Sequence, residues 1–255
     1  MGIVNRLVPR IVKDKLKDSP LGLVRSLYEE IKFFRGHRFY GQTAEDAVLQ
    51  LLLKHDKGFY LDIGAGKPKR GSNTQVFYRR AGWSGILVDP ISRNVRILKL
   101  LRPKDRIIEA LIGVGKGPIP FWEFDPYEYS TAVKAVADGV LLIDGVRLKE
   151  CSNRTVLSLE DISSGLDFSL PTLLSIDCEG FDLQVLKSNN WEKFRPTVIC
   201  IEEWDFNFSA IDSEIGVYLL NLGYSRFAYT GLSCIYVDNT NSHGIGKGST
   251  APSNR

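Results

Sequence analysis

The chain of 255 residues is 44% hydrophobic, enough to bury the core of one α/β domain with elaborations, and 33 basic against 30 acidic residues leave a formal net charge of +3. That balance is too mild to argue for nucleic acid as a partner. The four cysteines, Cys151, Cys178, Cys200 and Cys234, show neither a CxxC pair nor Cys/His ligand spacing and read as reduced, buried thiols; with no run of ~18 apolar residues to span a membrane, the expectation is a cytoplasmic protein.

Residues 1–38 form a basic, partly amphipathic segment in which Ile3/Val4, Leu7/Val8 and Ile11/Val12 alternate with Arg6, Arg10 and Lys13. Such spacing suits peripheral contact of residues 1–35 with an anionic inner-membrane surface, or equally a helix packed on the domain edge. The domain proper is expected over residues 39–238. "TAEDAVLQLLLK" (Thr43–Lys54) predicts a helix capped by Thr43, with Asp46 three positions on. Strands follow at Phe59–Ile63, Gly85–Pro90 and Arg106–Gly113, separated by helices at Gln75–Ala81 and Asn94–Leu101, a βαβαβ order. "PIPFWEF" reads as a hairpin partner, and Ser130–Leu142 fits helix or strand. Thr172–Gly180 and Thr197–Trp204 are strands ending in acids, with helices at Phe181–Ser188 and Asp212–Leu222. The segments "YSRFAYT" and "LSCIYVD" form a closing hairpin, and residues 239–255 have almost nothing to bury, so that disorder is expected there.

In an open parallel sheet, ligands sit beyond the carboxyl ends of the strands, and Asp62, Asp89, Asp177 and Glu202 all fall at such ends. Gly64 and Gly66 let the backbone approach a ligand closely. The turn "YLDIGAGKPKRGSNT" fails the dinucleotide pattern GxGxxG, because Lys69 replaces the third glycine and Pro68 delays the helix that should meet a pyrophosphate. A nucleoside cofactor without phosphates needs no such helix end. Asp62 suits the amino-acid portion of S-adenosylmethionine (SAM), and Asp89, with Pro90 behind it, suits the ribose hydroxyls.

The stretch "GFYLDIGAGKPKRGSNTQVFYRRAGWSGILVDP" with "LLSIDCEGFDLQVLKS" and "TVICIEE" resembles the FkbM family of SAM-dependent methyltransferases, and "FYGQTAEDAVLQLLL" looks like the element that precedes the domain in many members. The SNT before the first helix, the RxGWxG link and the D-x-E-G after the fourth strand carry the resemblance over Phe39–Glu203. It implies a Rossmann-like class I methyltransferase fold, a mostly parallel seven-stranded sheet with an antiparallel last strand. It also implies methyl transfer to hydroxyls of sugars, glycolipid or polysaccharide units or related natural products, with Asp62, Gly64, Ala65, Gly66, Asn73, Asp89 and Pro90 on the cofactor. Many members carry histidine or asparagine where Gly66 stands.

In-line displacement at a sulfonium requires an aligned acceptor oxygen and a proton acceptor. Asp177 is the base or acceptor-orienting group, with Glu179 and Glu202 as supporting acids; in the bland alternative, D-x-E-G only caps the following helix. Asp177 with Glu202 or Glu203 also occupies places where magnesium-dependent methyltransferases present carboxylates, but a metal is not required by the resemblance. "KPKR" (Lys67–Arg70) reads as solvated loop charge or as a seat for an anionic acceptor. Phe121, Trp122, Phe124, Tyr127 and Tyr129 read as an acceptor cleft or as core. The rival readings are a non-catalytic or membrane-surface protein on the same fold, recognised by failure to bind SAM, and a nicotinamide-dependent oxidoreductase, recognised by NAD binding.

Overall fold

In the computed structural model, residues 39–166, 169–203 and 213–240 are described. The basic N-terminal segment, most of the tail, Trp204 and the start expected for the helix at Asp212 lie outside them.

The first helix, α1 (Glu45–Leu52), differs at its start from the expected capping box. Ala44 is its N-cap, in the left-handed region at φ 65°, and supplies no side-chain cap. The Thr43 hydroxyl instead donates to Glu45 Oε1 at 2.5 Å, and Asp46 accepts the Tyr40 and Gly41 amides at 2.8 and 3.3 Å. The two acids thus close the chain before the helix rather than its first turn.

Strands β1 (Lys57–Ile63), β2 (Gly82–Asp89) and β3 (Arg106–Glu109) alternate with α2 (Gln75–Tyr78) and α3 (Ser92–Leu101). The run expected as one strand, Arg106–Gly113, breaks at buried Ala110: β4 (Leu111–Ile112) leaves the main sheet to pair with β6 (Arg147–Leu157), which also pairs antiparallel with β5 (Gly117–Asp125). This small sheet carries α4 (Lys134–Val140), settling the ambiguous stretch as helix. A capping box in which Ser158 and Asp161 satisfy each other's backbone opens α5 (Leu159–Ser163). Strand β7 (Thr172–Ile176), α6 (Asp182–Lys187), β8 (Val198–Glu202), α7 (Glu214–Asn221), β9 (Tyr224–Tyr229) and β10 (Ser233–Asp238) complete the order.

The large sheet has seven strands in the order β3-β2-β1-β7-β8-β10-β9, with β10 antiparallel to both neighbours and the first five parallel. Alternation along the strands divides the apolar residues between two faces. Leu61, Ile63, Leu174, Ile176 and Ile199 pack with Leu159, Ile162, Val185 and Leu219, whereas Tyr60, Leu87, Leu173 and Val198 pack with Leu49, Phe77 and Leu98. Helices α1–α3 therefore cover one face and α5–α7 the other. That is the three-layer Rossmann-like arrangement, and the strands running inward from both edges deliver their carboxyl ends, with their acids, to one rim. Of the cysteines, Cys200 and Cys234 are buried as expected, but Cys151 on β6 is exposed because the small sheet's outer face meets solvent.

Candidate active site

The chain leaves β1 through Gly64 and Gly66 at φ 79° and 52°, where an L side chain is strained. A Cβ on Gly64 would stand 1.8 Å from the Asp177 carbonyl oxygen, so only glycine lets this turn pass the end of β7. Gly64 and Ala65 donate to the Val88 carbonyl at 2.9 and 3.1 Å, and Gly66 donates to Asp89 Oδ2 at 2.9 Å. Asp89 also accepts from the Ile91 amide at 2.8 Å and from Asn94 Nδ2 at 3.2 and 3.3 Å, ahead of half-buried Pro90. Burial pushes its carboxyl up to about 6 against these hydrogen bonds.

Asp62 is buried at the end of β1 and accepts from Thr74 Oγ1 at 2.5 Å; desolvation raises its carboxyl despite that bond and the nearby Arg102. Arg102, just past α3, has no exposed surface. Its guanidinium pairs with Asp105 at 2.8 Å and donates to the Pro68 carbonyl, Gln75 Oε1 and Thr74 Oγ1 at 3.1, 3.2 and 3.1 Å. The loop that carries the glycine turn into α2 is thus hung on one buried cation.

Asn73 donates to Ser175 Oγ at 3.3 Å and to Cys200 Sγ at 3.6 Å, while its Oδ1 is buried and accepts no hydrogen bond from the described residues. A Cβ on Gly41 would lie 2.9 Å from that oxygen and 2.5 Å from Glu45 Oε2. Gly41 therefore keeps space open beside a carbonyl oxygen that wants a donor.

Carboxylate oxygens of Asp177, Glu179 and Glu202 lie within 4.8 Å of one another. Asp177 hydrogen-bonds Glu202. Burial first, then the charges of Asp182 and Asp62, lift Asp177 well above the usual carboxylate range; burial and then Asp177 and Asp182 do the same to Glu179. Glu203, the alternative metal ligand read from the sequence, does not join the cluster: it accepts from Tyr236 Oη at 2.6 Å and pairs with Arg226 at 3.5 Å. Asp182 takes the turn-closing duty, accepting the Cys178 and Gly180 amides at 2.9 and 3.0 Å, with its carboxyl pushed by burial to about 6. That frees the other two acids of "DCEGFD" from the bland capping role. Glu179 is left-handed at φ 50°, and its carbonyl accepts from Thr131 Oγ1 at 2.8 Å, which fastens the small-sheet lobe to the acid loop.

Of the aromatics, Phe121 and Phe124 are core, whereas half-buried Tyr127 faces the site. Its hydroxyl stands 3.6 Å from where a Gly66 Cβ would be, and its pKa is raised by burial and then by Glu128, Asp89 and Asp177. Tyr127 fills the space above Gly66. Lys67 sits over its ring at 5.5 Å and pairs with Glu128 at 2.6 Å, so the first cation of "KPKR" clasps this aromatic turn.

The structure thus groups Asp62, Gly64, Ala65, Gly66, Asp89 and Pro90 at one turn, sets Asn73 beside β7 and β8, and gathers Asp177, Glu179 and Glu202 next to both. Sequence reasoning missed Glu45, Thr74, Arg102 and Thr131, and left Tyr127 between cleft and core; Glu45 had a signal in the "GQTAED" element and Thr74 in the SNT.

With this geometry in place, the profile of the Methyltransferase FkbM domain matches residues 62–226, more than half of the chain. The matched region is a methyltransferase domain. The chain belongs to the FkbM methyltransferase family. Among solved structures it is similar to methyltransferase FkbM from Methylobacillus flagellatus, at 14% identity and a TM-score of 0.44, over 71% of this chain and 44% of that protein. It is also similar to a TehB-like SAM-dependent methyltransferase from Corynebacterium glutamicum, at 11% identity and a TM-score of 0.36, over 84% of this chain and 97% of that one. The chain thus spans under half of the Methylobacillus protein's length. No curated protein sequence matches it.

Proposed function

We propose that the protein transfers a methyl group from SAM to a hydroxyl oxygen of a sugar, a glycolipid or polysaccharide unit, or a related natural product. The observation that carries this reading is the convergence of three acids, Glu202 buried and Asp177 and Glu179 half-buried, beside the glycine turn. The residues fit SAM on two grounds: the acids complement its sulfonium and ammonium charges, and Asn73 Oδ1 is a buried acceptor in want of a donor. In this reading Asp62 and Asn73 hold the amino-acid end, and Gly64–Gly66 admit the backbone. Asp89 takes the ribose hydroxyls in place of Asn94, whose hydrogen bonds are the longest it accepts. The bound cofactor supplies an electrophilic methyl whose C–S bond breaks, with its electron pair passing to sulfur, as the C–O bond forms.

The chain's own task is alignment and proton removal. Alignment contributes ~7–11 kcal/mol and a general base about 10²- to 10⁴-fold. Asp177 accepts the hydroxyl proton; its raised proton affinity suits a base that works near neutrality. Glu179 and Glu202 hold the acceptor hydroxyl and share the proton's charge. Asp177→Asn is expected to lower turnover about 10²- to 10⁴-fold while leaving SAM affinity nearly intact, measured by transfer of labelled methyl to glycan acceptors and by calorimetry. Unchanged turnover would remove Asp177 from the base role.

A second reading rests on the same three oxygens, which are close enough together to share a divalent cation. Activity that persists after exhaustive chelation supports direct proton transfer to Asp177; loss restored by Mg²⁺ supports the metal.

A further inference from the structure

The buried side of α3 is Asn94, Val95 and Leu98, followed by Arg102. At 100° per residue the opposite side is Arg93, Arg96 and Leu100, flanked by Ile97 and Lys99. These are exposed, Leu100 at 76% and Ile97 at 37%. No described element covers them. The one acid between residues 92 and 106 is Asp105, whose side chain has 0% exposure and is consumed by Arg102. The outcome is a cationic surface with large aliphatic side chains standing in its middle.

We propose that this face of α3 docks the protein on an anionic phospholipid bilayer. A bilayer surface is the partner whose chemistry answers both halves of the patch: headgroup phosphates meet Arg93, Arg96 and Lys99, and the acyl boundary takes Leu100 and Ile97. A second copy of the chain would bring arginine against arginine across an isologous contact. A nucleic acid would satisfy the cations but leave the aliphatic side chains against sugar and water, with no exposed aromatic on α3 to stack on bases. Residues 1–38 carry nine Lys or Arg against four acids, a net positive charge that repels this face. Arg93, at the end of α3 nearest the acids, acts electrostatically on the Tyr127 hydroxyl, so docking through this face holds the site's mouth at the lipid boundary. The surface and its partner do not depend on the methyl-transfer reading.

The test is co-sedimentation of the full chain with vesicles of phosphatidylglycerol and phosphatidylcholine in equal parts, against phosphatidylcholine alone. Binding to the mixed vesicles only, weakening as salt is raised, is expected. Each cation near the leaflet is worth about fivefold in partition, so Arg96→Gln with Lys99→Gln should weaken binding about 30-fold. Leu100→Ser, which leaves charge unchanged, should weaken it several-fold; all three are surface changes that should leave the unfolding midpoint in place. Binding unaltered by both variants would overturn the proposal and assign the lipid contact elsewhere in the chain. Equal binding to heparin or RNA that is indifferent to Leu100→Ser would overturn it in favour of a soluble polyanion. A dimer in sedimentation velocity that Leu100→Ser dissociates would overturn it in favour of self-association.

Discussion

Arg102 shows how much one side chain can hold. A guanidinium without solvent contact is tolerated only because Asp105, Thr74, Gln75 and the Pro68 carbonyl satisfy its donors, and Tyr60 Oη completes the set with a 2.6 Å bond to Asp105. Removing one partner of such a pair leaves the other charge buried and uncompensated, which costs ~3–5 kcal/mol. Arg102→Met is therefore expected to lower the unfolding midpoint by roughly 6–20 °C, since each kcal/mol moves a chain of this size by about 2–4 °C. It should also weaken SAM binding, because Thr74, the hydrogen-bond donor to Asp62, hangs on the same cation. Calorimetry and ligand titration at a temperature where the variant is folded separate the two effects; a midpoint within 2 °C of the parent would show that the network is dispensable. Nothing in "LLRPKD" announces this role, because an arginine just past a helix end ordinarily faces water and the last carbonyls.

At the scale of elements, the main sheet was legible because its parallel strands are short apolar runs that each end in an acid, a pattern that buried strands impose. Of the small sheet only β5 was, as the hairpin partner "PIPFWEF". Strand β6, "RLKECSNRTVL", is exposed along most of its length, so no alternation marks it, and it is defined by pairing with β5 rather than by its own side chains. The acids at the strand ends could be named from the sequence, but not that Asp182 closes the turn, that Glu203 points away, or that Glu179 is left-handed and tied to Thr131 across the two sheets. That last link makes Thr131 the element-level joint of the site. Thr131→Val keeps the shape and deletes the donor to the Glu179 carbonyl, at a cost of ~1–3 kcal/mol. Turnover should fall more than SAM affinity does, and Thr131→Ser should restore it. A Val variant with parental turnover would mean that the lobe does not position Glu179.

For the molecule as a whole, the acids at the rim are a source of instability that a cationic ligand relieves. Asp89 and Asp182 are raised by burial to about 6, and Asp177 and Glu179 are raised as well. A carboxyl whose folded pKa lies above its unfolded value contributes stability that is complete below the unfolded value and is lost as pH rises through the folded one. The ligand-free midpoint should thus fall between about pH 5 and pH 8. Asp238, lowered by its pair with Arg195, acts in the opposite sense and only below the ordinary carboxylate value, where its stabilisation is lost with acid. The two sets meet at the ordinary carboxylate value, which places the optimum near pH 4. Bound at a hundredfold excess over Kd, SAM adds about 2.7 kcal/mol, or roughly 5–10 °C. If its positive charge lies against Asp62, it favours the ionised form of that raised carboxyl, and the ligand-induced rise should grow as pH rises. Asp177→Asn removes one of the crowded acids and should raise the ligand-free midpoint at pH 8 by a few degrees while abolishing most turnover, the opposition of stability and function expected where like charges are held together for chemistry. A SAM-induced rise of the same size at every pH would place the cation away from these acids, and a variant less stable than the parent at pH 8 would show that Asp177 is a structural member of the rim.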